Sequence, residues 1–362
     1  MGANLRLRLL ELGYVHIAAI TRESTHEALR AALADADIVF HLAGVNRTRD
    51  EGDFAKGNTG FTERLAQALV DTDRAVPVVF ASSTQAAVGN AYGSSKRAAE
   101  DALIRYSNTS GAPLHVFRLT NVFGKWARPN YNSAVATFCH QVAHRQPITI
   151  HDGTTPLRLV YIDDVVTAFV DRLVCPTTLP GPSGFAEAGP VYEITVGELA
   201  STLQGYAASR TNLVGPRTGS GLSRALYATY VSYLPPEDFT YKVPRYADPR
   251  GEFVEMIKTP DCGQFSYFTA HAGVTRGGHY HHSKVEKFLV IKGRARFGFR
   301  HVISGQLREF VTQGGEGCIV ESVPGWTHDI TNVGQDELVV MLWASEIFDR
   351  TRPDTVAQEV RP

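Results

Sequence analysis

No long uncharged apolar run occurs in the 362 residues, and the N-terminus lacks the apolar core of a signal peptide, so neither a membrane span nor a secretory leader is expected. Charge of one sign is missing too. The formal net charge is −1, which leaves no basic field for nucleic acid or an anionic bilayer. Cysteine is scarce, and the four present (Cys139, Cys175, Cys262, Cys318) include no C-x-x-C pair. That argues against a disulfide framework and for buried free thiols in a reducing cytoplasm. Internal repeats and low-complexity tracts are absent. The expectation is a soluble, cytoplasmic chain, long enough for two domains with a full core each.

Against this background one stretch is rich in ligand chemistry. Residues 273–293 follow the spacing G-x5-H-x-H-x4-E-x6-G, carrying His279, His281 and Glu286. Two histidines one residue apart share a side of an extended strand. The polar turn at Ser283-Lys284 is expected to double the chain back as a hairpin and carry Glu286 to the same point. A later segment adds His328 after the Pro324-Gly325 turn. Three imidazoles and a carboxylate suit zinc, iron, manganese or nickel, with zinc the first choice. Four protein ligands close a tetrahedral site, which favours a structural over a catalytic ion. The two segments resemble the signature motifs of the cupins, small jelly-roll barrels. The second motif keeps Gly317, Gly325, His328 and Asn332, with its proline displaced by one residue.

The first two-thirds of the chain has another rhythm. Leu5, Leu9 and Leu12 sit at helical spacing before Gly13, residues 15–20 read as a strand, and Ala28, Leu29, Ala32 and Leu33 mark a second helix. Strands are expected at 37–44 and 76–81, with a helix around 59–70 between them. Helices alternating with short apolar strands imply a doubly wound α/β parallel sheet, covered on both faces, of the Rossmann-like kind. Ser82-Ser83 ends a strand, and Tyr92 and Lys96 lie four apart on the helix that follows. An ammonium there is expected to lower the phenol's pKa and let it exchange a proton near neutrality.

His41-Leu-Ala-Gly44, Ser83, Tyr92-x3-Lys96, residues 118–124 and residues 159–165 resemble the successive motifs of extended short-chain dehydrogenases acting on nucleotide sugars. The resemblance implies a catalytic triad of Ser83, Tyr92 and Lys96. It implies a cofactor loop at Leu42, Ala43 and Gly44, and Arg22 against the 2′-phosphate of NADPH. It makes Asn121, Asn132 and Arg158 candidates for the sugar nucleotide. That family opens with a strand and a glycine-rich turn that cradles the pyrophosphate. Here Gly2 can be at most the last glycine of that fingerprint. The expectation is a start assigned too late, with the central strand lacking and its two neighbours stripped of ladder partners.

Beyond a breaker-rich loop at 176–190, residues 191–199 read as a strand and then a helix, and residues 226–234 as a last helix. Pro235-Pro236 places the boundary, giving domains at 1–236 and 244–362. The second domain is β only, with short strands between Gly-containing turns. Asp248, Arg250, Gly251, Phe253 and Arg276 also resemble the keto-deoxysugar 3,5-epimerases of rhamnose synthesis. That likeness offers Arg276 for a substrate phosphate. It leaves the epimerase base open among His282, Lys284 and Tyr280 if His279 is a ligand.

Over nearly its whole length the chain resembles the bifunctional reductase/epimerases of capsular and O-antigen N-acetyl-L-fucosamine synthesis, through Asn46-Arg47, residues 124–133 and residues 286–290. The resemblance implies C3 epimerisation by the cupin domain and NADPH-dependent C4 reduction of a UDP-4-keto-6-deoxy-2-acetamido sugar, in a homodimer. A simple ketosugar reductase with a cupin docking module, an inactive sugar-nucleotide binding protein and an iron cupin oxygenase are the competing readings.

Overall fold

The computed structural model describes residues 1–174, 185–239, 241–282, 284–351 and 353–361. Most of the loop expected at 176–190, Cys175 and Ser283 fall outside these. The chain divides into two compact units. One is Met1–Leu203 with Arg224–Leu234, the other Gln204–Ser223 with Pro235–Pro362. Residues 204–223 join the second unit although they precede the Pro235-Pro236 break, and Val214 bridges Lys258 there.

The first unit opens with helices α1 (Gly2–Glu11) and α2 (His26–Ala34), then β1 (Val39–His41). Thr25 caps α2 by accepting the Ala28 N–H. A short α3 (Gly52–Phe54) runs through a π turn (Ala55–Gly60) into α4 (Phe61–Val70). Then come β2 (Val78–Ser83), α5 (Ala91–Ser110) and β3 (Leu114–Leu119). β1, β2 and β3 form a parallel sheet in that order. β2 is buried along nearly its whole length because helices cover it, and Leu69, Phe80 and Leu103 pack in one core. A second sheet joins β4 (Asn121–Phe123), β5 (Pro156–Tyr161) and β6 (Val191–Thr195), with α6 (Ala134–Ala143) and α7 (Ile162–Val174) between them. Helices α8 (Val196–Asn212) and α9 (Gly221–Val231) follow.

Residues 15–20 are not the expected strand. An isolated strand leaves its N–H and C=O groups unpaired, and among the described residues no strand runs beside this segment. It has no assigned secondary structure, and Val15 is 71% exposed. Among the described residues β1 has a ladder on one side only, pairing with β2 from Val39↔Val78 to His41↔Phe80.

The second unit holds eleven strands among its described residues. In chain order they are β7 (Arg245–Asp248), β8 (Gly251–Thr259), β9 (Gly263–Ala270), β10 (Thr275–Tyr280), β11 (Glu286–Lys292), β12 (Arg294–His301), β13 (Leu307–Gln313), β14 (Ile319–Glu321), β15 (Trp326–Asn332), β16 (Leu338–Ala344) and β17 (Val356–Ala357). One sheet has the order β14-β11-β16-β9-β8-β7, the other β13-β12-β15-β10-β17. Both contribute to one apolar core. Phe268 and Phe288 come from the first sheet, Phe297 and Ile330 from the second. This is the jelly-roll type of two-sheet packing.

The expected hairpin between His279 and Glu286 does not form. β10 spends its two edges on β15 and β17, and β11 spends its own on β14 and β16. Neither has a free ladder for the other, so the chain crosses from one sheet to the other between Tyr280 and Glu286. Among the described cysteines the expectation of buried thiols holds for Cys139 alone. Cys262 lies in the β8–β9 turn and Cys318 ahead of the edge strand β14, both exposed.

Phe297 is 1% exposed at the centre of the two-sheet core. Truncation by Phe297→Ala is expected to cost about 3–5 kcal/mol, read as a fall in the urea midpoint at unchanged slope. A loss below 1 kcal/mol would mean that the two sheets do not share this core.

Candidate functional site

A cavity of about 770 Å³ opens at the C-terminal ends of β2 and β3 in the first unit. Asn90 starts α5 by accepting the Gly93 N–H at 2.7 Å, so Tyr92 and Lys96 occupy its first two turns. Tyr92, Lys96 and Ser83 all line the cavity, with Leu42, Gly44, Asn121, Asn132 and Arg158. Ala43 lies between two lining residues without being one. Gly2 and Arg22 do not line it either. Gly2 begins α1, whose Asn4 does, and Arg22 is exposed in a turn at 21–24.

The Lys96 ammonium is buried against the Ala81 carbonyl, 2.9 Å away, and lies 4.9 Å from the centre of the Phe80 ring. Burial lowers its pKa to about 8, with Glu100 one turn on pulling the other way. The Tyr92 phenol is shifted upward. Burial raises it and a hydrogen bond with Ser83 offsets part of the rise. The expected depression by Lys96 is therefore not met, because burial is the larger effect on the phenol.

Asn58 is a participant that spacing did not reveal. It sits in the π turn, 2% exposed. Its Oδ1 accepts the Val45 N–H at 2.7 Å, and its Nδ2 donates to the Val45 carbonyl and the Ser95 hydroxyl, both at 2.9 Å. It thus ties the 42–46 loop to α5. Gly44 fits between them because a Cβ there would meet Asn58 Oδ1 at 2.9 Å and Lys96 Nζ at 3.3 Å. His41, stacked on Phe80, shares a hydrogen bond with the Thr62 hydroxyl at 2.8 Å, and burial with the nearby Lys96 charge lowers its pKa to about 3. The irregular turn in a helix, a common mark of functional sites, is invisible in the residues Ala-Lys-Gly-Asn-Thr-Gly.

Opposite lies the loop of residues 124–133. Gly124 has φ +143°, and a Cβ there would meet Ile162 Cγ2 at 2.1 Å. Arg47 donates to the Tyr131 carbonyl, and the Tyr131 hydroxyl donates to the Arg47 carbonyl at 3.3 Å. Asn121 donates to the Arg158 carbonyl at 3.1 Å.

In the second unit His279, His281, Glu286 and His328 converge, with one ligand atom from each within 4.8 Å of the others. All but His279 are buried. His281 Nε2 lies 3.0 Å and His328 Nε2 3.3 Å from one Glu286 oxygen. The His281 Nδ1 donates to the Asp354 carbonyl, which leaves its Nε2 as a lone pair in the neutral ring. A lone pair facing a carboxylate oxygen repels it unless a proton or a cation stands between them. Burial pushes the Glu286 carboxyl up, but hydrogen bonds from His281 and His328 in their protonated rings, with the Lys284 ammonium, outweigh it and hold the group well below the usual carboxylate range. His279 falls to about 4 through burial first and His328 second, so its ring is neutral and can ligate. The donor set fits a divalent cation. Of the other expected groups, Arg276 donates to the Thr269 carbonyl at 3.2 Å, Lys284 Nζ is 3.6 Å from Glu286, and Tyr280 meets His282 edge to face.

Residues 1–175 match the model of the NAD dependent epimerase/dehydratase family, and residues 246–356 that of the polysaccharide biosynthesis C-terminal domain. The chain is 53% identical to UDP-2-acetamido-2,6-beta-L-arabino-hexul-4-ose reductase of Pseudomonas aeruginosa, over 99% of this chain and 96% of that one. The chain belongs to this reductase family. The capsular polysaccharide assembling protein CapF from Staphylococcus aureus, 37% identical, superposes with a TM-score of 0.91 over 99% of this chain and 97% of that one. Thermus thermophilus UDP-glucose 4-epimerase in complex with NAD shares the fold at 19% identity, with a TM-score of 0.52 over 64% of this chain and 95% of its own.

Replacing Asn58 by Leu takes away the side-chain partner of the Val45 N–H and C=O and one donor to the Ser95 hydroxyl, which keeps its bond to the Tyr92 carbonyl. The expected cost is about 1–3 kcal/mol for each group left buried and unpaired, seen as a lower thermal midpoint. An unchanged midpoint would mean that the 42–46 loop is held by other contacts.

Proposed function

We propose that the chain reduces the C4 ketone of a UDP-linked 2-acetamido-6-deoxy-4-ketosugar with NADPH, and that its β unit inverts C3 of the same sugar. One observation carries the reading: Ser83, Tyr92 and Lys96 share a 770 Å³ cavity with the Gly44 loop, in a member of the reductase family. In this reading Gly2, Arg22, Leu42, Ala43 and Gly44 serve the cofactor, Arg22 at the 2′-phosphate. Asn121, Asn132 and Arg158 serve the sugar nucleotide. The enzyme is cytoplasmic and works as a homodimer.

A nicotinamide held beside the Gly44 loop supplies the hydride. Ser83 donates a hydrogen bond to the ketone oxygen and orients it. As negative charge grows on that oxygen, Tyr92 delivers its phenolic proton. Burial suits Tyr92 to this direction of transfer, since a raised pKa keeps the proton in place until the alkoxide forms. Lys96 contributes positive charge under the cavity floor and a donor for the cofactor ribose.

At the second unit the C3 proton is acidic because the neighbouring C4 ketone takes up the charge as an enolate. His282, Lys284 and Tyr280 are the candidates for the base that removes it. Arg276 is the group suited to a substrate phosphate. A zinc or similar divalent cation held by His279, His281, Glu286 and His328 supplies fixed positive charge that keeps the four side chains together. With four protein ligands its role is structural.

NADPH oxidation with the UDP-4-ketosugar tests the reductase. Tyr92→Phe is expected to lower kcat by about 10²–10⁴-fold with the thermal midpoint unchanged. Lys96 is an ammonium below about pH 8 and loses its proton above, so kcat/KM should hold on the acid side and fall as pH rises through 8. Full activity in the Tyr92→Phe protein would remove the proton-donor role. Solvent deuterium is expected at C3 in the absence of NADPH. Its absence would reduce the β unit to a docking module.

A further inference from the structure

We propose that residues 353–361 form a clasp that holds the metal ligands in register, with Asp354 as its positioning residue. The proposal rests on the metal-centre reading above. The segment touches three of the four ligand-bearing stretches. β17 lies along the end of β10, pairing Ala357 with His279 and Val356 with Tyr280, and the Gln358 N–H donates to the Gly278 carbonyl at 3.0 Å. On β15, the Thr327 hydroxyl, one residue before His328, donates to Gln358 Oε1 at 2.8 Å. Val360, 2% exposed, anchors the far end.

Asp354 does the remaining work. Its backbone carbonyl accepts the His281 Nδ1–H and so turns the Nε2 lone pair towards Glu286. One carboxylate oxygen accepts the His282 N–H at 2.9 Å and the other accepts the Lys284 N–H at 2.8 Å. These amides belong to the crossing at 281–285, which has no ladder of its own because β10 and β11 pair with other strands. Without the Asp354 carboxylate the crossing keeps the Gly325 N–H donated to the His281 carbonyl at 2.9 Å, and the Ser345 and Ser322 hydroxyls that accept the Val285 and Glu286 amides at 3.1 and 2.8 Å. The Asp354 backbone carbonyl would then no longer be tied to the crossing, and the His281 ring could turn while Glu286 stayed put. A group that orients a ligating imidazole typically changes metal affinity by about 10–100-fold when it is removed.

The plainer role for the same residues is an edge cover, a two-residue strand that shields β10 from other chains. The two roles separate on metal affinity. The full chain is stripped of metal, reloaded with zinc(II) or cobalt(II), and titrated against a chelator. Asp354→Ala is expected to bind zinc about 10–100-fold more weakly than wild type and to alter the visible spectrum of the cobalt(II) form. Its metal-free thermal midpoint should stay close to that of the metal-free wild type. Asp354→Asn keeps one acceptor and should fall between the two, and it replaces Asp354→Ala if that protein does not fold. Arg361→Ala, which removes only the tie to Glu309 on β13, should bind zinc as wild type does. An Asp354→Ala protein with wild-type affinity and spectrum overturns the clasp and leaves the metal centre standing, as does a loss of midpoint equal with and without metal. A wild-type chain that takes up neither ion overturns the metal centre and the clasp with it.

Discussion

The β unit depends on a contact that only a proton or a cation can make favourable, the His281 Nε2 3.0 Å from a Glu286 oxygen among buried side chains. Hydrogen bonds fix each partner from behind. Asp354 fixes the His281 tautomer, and Ser322 holds the Glu286 backbone. Preorganising mutually repelling acceptors costs free energy that only a proton or a cation can return. The fold provides the rigidity for this by drawing ligands from separate elements: His279 on β10, His281 on the crossing, Glu286 on β11 and His328 on β15. Two of those strands belong to different sheets, so the cluster also marks where the sheets are joined.

The α/β unit solves a related problem with opposite charge. Lys96 places an ammonium in the floor of the cavity, against one carbonyl and a ring face. Around it several donors and acceptors are paired, while Asn4 Oδ1 and the Thr120 hydroxyl, on residues lining the cavity, are buried without a partner. Ser82 and Arg118 meet the Glu100 carboxylate one turn further along α5, with the Ser82 hydroxyl at 2.5 Å and the Arg118 guanidinium at 2.6 Å. Asn58 links the loop at 42–46 to Ser95, whose hydroxyl donates back to the Tyr92 carbonyl at 2.7 Å. Beside the cavity these side chains form two linked groups rather than a row of independent side chains, and a change at Asn58 reaches the Tyr92 carbonyl through a single residue.

What could be read from the residues in advance was whatever local geometry decides. Tyr92 and Lys96 share a helix face because four residues make about one turn, and the capped start of α5 delivers both to the cavity. The ligand set was legible for a similar reason, with three of its members inside eight residues. What could not be read depended on partners far away in the chain. Residues 15–20 have strand composition, but a strand is a relation between two segments, and among the described residues no strand lies beside this one. The run from His279 to Glu286 has the composition of a hairpin, yet the ladders of β10 and β11 were taken by strands 30 or more residues distant, with Leu289↔Ile319 the nearest pair (319 − 289) and His279↔Ala357 the farthest (357 − 279). Asn58 carries no motif, and Asp354 acts on a histidine 73 positions earlier.

Under the proposed chemistry the two units cannot act in either order. The C3 proton is labile only while C4 is a ketone, because the charge left by its removal is held on the ketone oxygen. Once hydride and proton have been added at C4, the neighbouring carbon has no acceptor and its stereochemistry is fixed. Epimerisation must therefore come first, and reduction serves as the trap that makes it one-way. That requirement fits the Tyr92 environment. A phenol held protonated by burial is suited to giving up its proton once, to a strong base such as an alkoxide, and poorly suited to abstracting one from carbon. In this reading the α/β cavity takes the closing step, and the reversible proton traffic at C3 falls to the polar groups of the β unit.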